Sequence, residues 1–229
     1  MSLFHHKLKQ IKKNKNGKHI IIKFDSNEII LKLVDTSEDT VNLLYRLRKK
    51  YRNMFATDFH MTKEKTKEWI NNLILENPER VLFIIYLNNT KIGCIGHGSF
   101  DEKNNSSQLD NMMKDPTCKI SGIMTVVEKV YLNWMFDFFN LSKITGYLFS
   151  DNERMMNIHK ECGWVLVGDV PIKKNSYDDC TRWEEIKNFS NNENAERYFN
   201  IIEIRKENLM KNFNKIEYES QRYFMEDHL

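Results

Sequence analysis

The stretch 109–164 constrains this chain more than any other. It begins Leu109-Asp110-Asn111-Met112-Met113-Lys114 and passes a short loop holding Ser121-Gly122. A long apolar-faced segment follows from Met124, then a β-rich run at 144–149. Ser150-Asp151-Asn152 opens a second periodic segment that stops at Cys162-Gly163-Trp164. Val127, Val130, Tyr131, Trp134, Met135 and Phe138 recur at intervals of three and four, one broad apolar face of an α-helix. The order predicted is strand, helix, strand, helix, with Asn152 as cap and Gly163 as stop. A helix start exposes unpaired N–H groups at the positive end of the helix dipole. Small residues such as Ser121 and Gly122 let a phosphate reach them, so this start suits a diphosphate.

The rest of the composition narrows the class. Of 229 residues, 41% are apolar and 12% aromatic, enough for one cored domain plus an extension. The 35 basic and 32 acidic residues give a net charge of +3, too even to argue for a nucleic-acid partner. Cys94, Cys118, Cys162 and Cys180 form no Cys-x-x-Cys pair, so no metal site is expected. They read as free thiols of a reducing compartment, and a cytoplasmic location is the expectation. The first residues lack the apolar segment of a secretory leader, and the run 81–87 is far too short to cross a bilayer, so no membrane partner is expected.

Along the chain, residues 1–27 read as a solvated basic arm carrying Lys7, Lys9, Lys12, Lys13, Lys15 and Lys18, with an extra strand at 19–24. After the turn Asp25-Ser26-Asn27, residues 28–34 read as a strand. Thr36-Ser37-Glu38-Asp39 offers an N-cap to a helix bearing Val41, Leu44, Tyr45 and Arg48. Thr62 caps a helix at 63–76 with Trp69, Ile70 and Leu73 inward. Strands at 81–87 and 91–100 form a hairpin through Asn88-Asn89. Gly93, Gly96 and Gly98 in the second strand mark a bulge or a close approach. Residues 164–172 and 177–186 make a closing hairpin. A polar break at 189–194 separates the central domain, 28–187, from a C-terminal helical extension, 188–229, whose spacing runs through Tyr198, Ile202, Leu209, Phe213 and Ile216.

This order of elements resembles the GCN5-related N-acetyltransferase family over about 28–187. The firmest local match is Asn152 through Ile158 and His159 to Gly163-Trp164, where the family carries Asn-x-x-Ala-x-x-Leu-Tyr-x-x-x-Gly-Phe. Met155 replaces the family's small residue, and His159 stands where the family has Tyr. Asp110-Asn111 and Ser121-Gly122-Ile123-Met124 resemble a narrower branch acting on amino sugars of surface glycans. Arg48, Arg52, Met54 and Trp69 sit roughly where that branch carries a first-helix element.

The resemblance implies an α/β fold with a mixed, mostly antiparallel central sheet, splayed where the cofactor lies and flanked by helices. It implies an acetyl-CoA-dependent transferase working by direct attack in a ternary complex. Lys119, Ser121, Gly122, Ile123, Met124 and Thr125 would hold the diphosphate, and Asn111, Met112, Met113 and Asn152 the pantetheine arm. His159 would serve the leaving sulfur. Asp110 and His97 are both candidate bases, each also explicable as a structural group. Arg48, Arg52 and Met54 would meet a nucleotide-linked amino sugar, although a solvated basic helix face explains the two arginines as well. A protein or peptide amine as acceptor, and a degenerate acyl-CoA-binding module acting by interaction alone, are the competing readings. The C-terminal segment is expected to pack on the domain or to join two copies in a homodimer.

Overall fold

The computed structural model describes residues 3–14, 17–187, 189, 195–213 and 216–221. Position 15 of the expected arm, 190–194 of the expected break and Tyr223 lie outside the described residues.

The chain opens with a helix, α1 (Leu3–Lys13), rather than the solvated arm expected from its lysines. Phe4, Leu8 and Ile11 lie four and three apart and are buried in the main core. The basic residues are not idle. Lys7 Nζ donates to the Phe138 carbonyl at 2.6 Å, and Lys12 Nζ donates to the carbonyls of Ile74 (2.7 Å) and Asn77. Both thus satisfy carbonyls at the ends of helical segments, where cations are favoured. Burial pulls Lys12 down to about 8.

The strands follow: β1 (Lys18–Phe24), β2 (Asn27–Leu33), β3 (Thr57–Phe59), β4 (Val81–Leu87), β5 (Thr90–Asp101), β6 (Ser106–Lys114), β7 (Lys143–Phe149), β8 (Val165–Ser176), β9 (Cys180–Glu185), β10 (Arg197–Ile204) and β11 (Glu217–Ser220). They join one sheet in the order β11-β1-β2-β4-β5-β6-β7-β10-β8-β9-β3. Among the described residues, every pairing is antiparallel except β6–β7. The helices α2 (Glu38–Lys50), α3 (Lys63–Ile70), α4 (Ile123–Phe139), α5 (Glu153–Cys162) and α6 (Lys206–Lys211) accompany it. The expected mixed sheet with flanking helices is therefore present.

Several local expectations hold for the reasons given. Asn88 and Asn89 both take positive φ and join Leu87 to Thr90, the twist a two-residue hairpin requires. Thr62 accepts from the Lys65 amide at 3.1 Å as the cap of α3. Gly93 and Gly96 of β5 mark close approach by neighbouring strands: a Cβ on Gly96 would stand 2.6 Å from the Val81 carbonyl.

Other expectations fail. The helix after Thr62 turns into a π-helical stretch, Asn71–Leu75. Widening the turn rotates Leu73 outward to 50% exposure and brings Ile74 inward instead, while Trp69 is half-buried. The helix α2 stops at Lys50, so Arg52 sits in a 3₁₀ turn, Arg52–Met54, and does not share a helix face with Arg48.

The C-terminal helical extension is the largest correction. Residues 197–204 form a strand that lies between β7 and β8, and 217–220 pair with β1 at the far edge; among the described residues between them, only α6 is helical. A spacing of four, from Tyr198 to Ile202, fits a period of two as well as one of 3.6. The run Tyr-Phe-Asn-Ile-Ile-Glu-Ile is β-branched and aromatic, and that decides it.

Candidate active site

The site arises where β6 and β7 part. Their parallel pairing covers Ser106–Lys143, Ser107–Ile144 and Gln108–Thr145 and goes no further. Beyond Gln108, β6 stays with β5, while β7 turns its other edge to β10. Between Cys94↔Met113 and Gly96↔Asp110, β6 carries one residue more than β5, and Asn111 takes φ +53°. This bulge bends the strand and re-aims its side chains.

A cavity of about 420 Å³ fills the gap. Asp110, Asn111, Met112 and Met113 of β6 form one wall, and Tyr147, Leu148 and Phe149 of β7 another. Met124 of α4 and Asn152, Met155, Ile158 and His159 of α5 close a side, and Tyr51, Met54 and Phe55 face them. Of the residues expected to hold a donor, those of the pantetheine group thus come together here, with His159 and Met124. Asn152 accepts from the Met155 amide at 3.4 Å, so it caps α5 and also faces the cavity.

The residues of the loop before α4 lie outside this lining. Lys119, Ser121 and Gly122 are exposed. Gly122 takes φ +71° at the N-cap, where no side chain caps the helix, and a Cβ there would meet open space. The start of α4 thus has no side-chain cap and open space at its N-cap. Ile123 is fully buried in the core, so only its backbone is available. The Thr125 hydroxyl donates to Glu161 at 2.9 Å.

Arg48 and Arg52 line a second cavity of about 320 Å³ with Tyr45, Lys49, Phe55 and Asp58. The two spaces share Phe55, and Arg48 Nη1 reaches Asn111 Oδ1 at 3.4 Å between them. The Arg48 guanidinium stacks over Phe55 at 4.3 Å and Trp69 at 5.0 Å. Burial lowers its pKa, opposed by the charge of Asp110. Arg52 pairs with Asp58 at 2.7 Å.

The two candidate bases part company. Asp110 lines the main cavity and pairs with Arg80 at 3.5 Å. His97 does not reach it. It is 1% exposed, its Nδ1 lies 3.1 Å from the Tyr131 hydroxyl, and its Nε2 is buried without a partner. Burial pushes it down to about 3. His97 is a core residue, not the base the sequence suggested.

Sequence reasoning missed two supports of the site. Arg197 of β10 forks onto Asp151 (2.6 and 2.8 Å), donates to the Asn53 carbonyl at 3.0 Å and covers the Phe149 ring at 3.5 Å. It thereby ties β10, the start of α5 and the turn bearing Met54 into one wall. Glu128 of α4, fully buried, accepts from His159 and from Trp164. The signal for Glu128 was present: it stands four residues from both Met124 and Leu132, on the buried side of an apolar helix.

The sequence profile of a family described as an acetyltransferase (GNAT) domain matches residues 28–165. No curated protein sequence matches the chain. Among solved structures, the fold is similar to that of a spermidine N-acetyltransferase from Vibrio cholerae in complex with CoA and spermine. The TM-score is 0.61 at 14% identity, over 80% of this chain and 98% of that one. A dodecameric structure of the Vibrio cholerae spermidine N-acetyltransferase in an intermediate state gives a TM-score of 0.57 at 15% identity, over 78% and 94%.

Proposed function

Because the chain belongs to the GNAT acetyltransferase domain family and is an acetyl-CoA-dependent N-acetyltransferase, we propose that its acceptor is the amine of a nucleotide-linked amino sugar. Acetyl-CoA supplies an activated acyl group as a thioester. Gly122 and the first amides of α4 receive the diphosphate, while the bulged β6 and Asn152 flank the arm that leads to His159.

The observation that carries the acceptor reading is the second cavity. It opens beside the donor cavity at Arg48 and Asn111 and is lined by Arg48, Lys49 and Arg52 against the single carboxylate of Asp58. Arginine suits phosphate because its planar fork offers two parallel donors. A polyamine would bring like charge to the same surface. This lining favours an anionic acceptor over a polyamine, although the fold is shared with the Vibrio cholerae enzymes.

Direct attack is favoured over an acyl-cysteine route. Among the described residues, no cysteine lines either cavity. Cys94 is buried and its thiol is pushed up to about 12, and burial beside Glu128 raises Cys162 further. A nucleophilic cysteine needs the thiolate. Asp110 stands in the main cavity, placed to take the amine proton directly or through water.

The test is acetyl-CoA consumption with UDP- and dTDP-linked amino sugars, free amino sugars, spermidine and amine-bearing peptides. The nucleotide sugars should give the highest kcat/KM. Faster turnover of spermidine or of a peptide would replace this acceptor with that one.

A further inference from the structure

The core of α4 holds a carboxylate that packing does not require. Glu128 is fully buried, with Val127, Val130 and Leu132 as close neighbours along the helix. Its Oε1 accepts from His159 Nδ1 at 2.6 Å and from Trp164 Nε1 at 2.7 Å, while Oε2 has no hydrogen-bond partner among the described residues. The Cys162 thiol lies against the same carboxylate, with Lys129 and Glu161 the other charged groups near it. A buried ion pair is often no more stabilising than well-packed apolar residues of the same volume, so stability alone does not account for it.

The partner of this carboxylate explains more. His159 is 5% exposed yet lines the cavity between β6 and β7. With Nδ1 committed to Glu128, the free ring nitrogen is Nε2. A carboxylate accepts only, so Nδ1 must carry the proton. A buried carboxylate that fixes an imidazole through Nδ1 sets both the tautomer and the direction of the other nitrogen.

Resting on the acetyltransferase reading, we propose that Glu128 is a positioning residue that holds His159 with Nδ1–H inward and Nε2–H toward the leaving sulfur, making His159 the proton donor of the transfer. The negative charge of Glu128 balances the positive charge of the doubly protonated ring. As the acceptor nitrogen forms its bond to the acyl carbon, the carbon–sulfur bond breaks and its electron pair stays on sulfur. His159 Nε2 delivers its proton to that sulfur, giving the free thiol, and the ring becomes neutral with Nδ1–H kept by Glu128. The proton shed by the acceptor nitrogen goes to Asp110, directly or through water, and water passes it on to Nε2, which restores the starting state. Nothing is oxidised or reduced.

Glu128→Gln tests this, since it keeps the size and one acceptor but removes the charge. It should lower kcat at least tenfold while the acetyl-CoA KM and the calorimetric dissociation constant stay within about twofold, with partial rescue by Glu128→Asp. Nitrogen-15 NMR of histidine-labelled wild-type chain, free of substrate, should show His159 protonated at both nitrogens, the double protonation being lost in E128Q, which keeps the acceptor for Nδ1–H but not the charge that offsets a positive ring. A folded E128Q that matches wild-type kcat overturns the proposal, as does a wild-type His159 bare at either nitrogen, which decides the matter even if E128Q fails to fold. A wild-type chain with Nδ1 protonated that acetylates no amine overturns the transfer reading itself, and the proposal with it.

Discussion

Two buried histidines meet α4 one turn apart, and the sequence offered both as catalytic. His97 meets Tyr131 and His159 meets Glu128. The first faces a neutral hydroxyl inside closed core, and burial drives it down to about 3. The second faces a carboxylate and borders a cavity. Burial is nearly the same, 1% and 5%. The difference lies in what else is buried: His97 meets a neutral hydroxyl with no cavity beside it, whereas His159 meets a carboxylate and leaves its other nitrogen beside an open space.

That contrast can be broken by exchange of roles. His159→Ala should lower kcat at least tenfold, toward the hundredfold scale of positioned acid–base groups, with acetyl-CoA affinity little changed. His97→Leu should leave kcat per folded molecule within about twofold, because no reacting atom comes near it. Steady-state kinetics with calorimetric donor binding reads both, and comparable losses of kcat would erase the distinction.

The acceptor side sharpens the comparison by separating chemistry from binding. Arg48→Glu should raise the acceptor KM about tenfold, the cost of losing one charge-assisted phosphate contact, and leave the acetyl-CoA KM nearly unchanged. An unaltered acceptor KM would remove the second cavity from the site.

The smallest effect is on stability against pH. The folded value of His97 lies near 3, below the ordinary 6.5 of the unfolded chain. Between these limits the unfolded chain binds more protons, so stability falls as pH falls from 6.5 toward 3; above 6.5 both states are neutral and nothing is lost. At pH 5 the loss is on the order of 2 kcal/mol. His19, pushed down to about 4 by burial, adds to the same slope. His97→Leu should therefore flatten, but not abolish, the decline in denaturant midpoint between pH 7 and 5. An unchanged slope would mean that His97 is not buried as a neutral ring.

The same contrast shows what the sequence could and could not tell. The strand–helix–strand–helix unit was legible because its signals are local: the apolar face of α4, the Asn152 cap and the Gly163 stop each lie within a few residues. The cavity residues of β6 and α5 were implied by the family resemblance that this order carries. Long-range placement was not legible. Nothing near His97 says that it packs on Tyr131, and nothing near Lys12 says that it reaches the Ile74 carbonyl across 62 residues. The strand at 197–204 was misread because its spacing fits two periods, and its insertion between β7 and β8 is a choice only the whole sheet makes. Glu128 was visible as an acid on an apolar stripe, but its meaning depends on a histidine 31 residues away.

The proposed transfer carries a thioester into the gap between β6 and β7, with its diphosphate on the first turn of α4. The most direct test is calorimetric titration of acetyl-CoA into the wild-type chain and into Gly122→Val, which puts a branched side chain into the open space above those amides. The account predicts saturable one-site heat for the wild type and none for a folded G122V. No heat with the wild type, or equal heat in both, would contradict it.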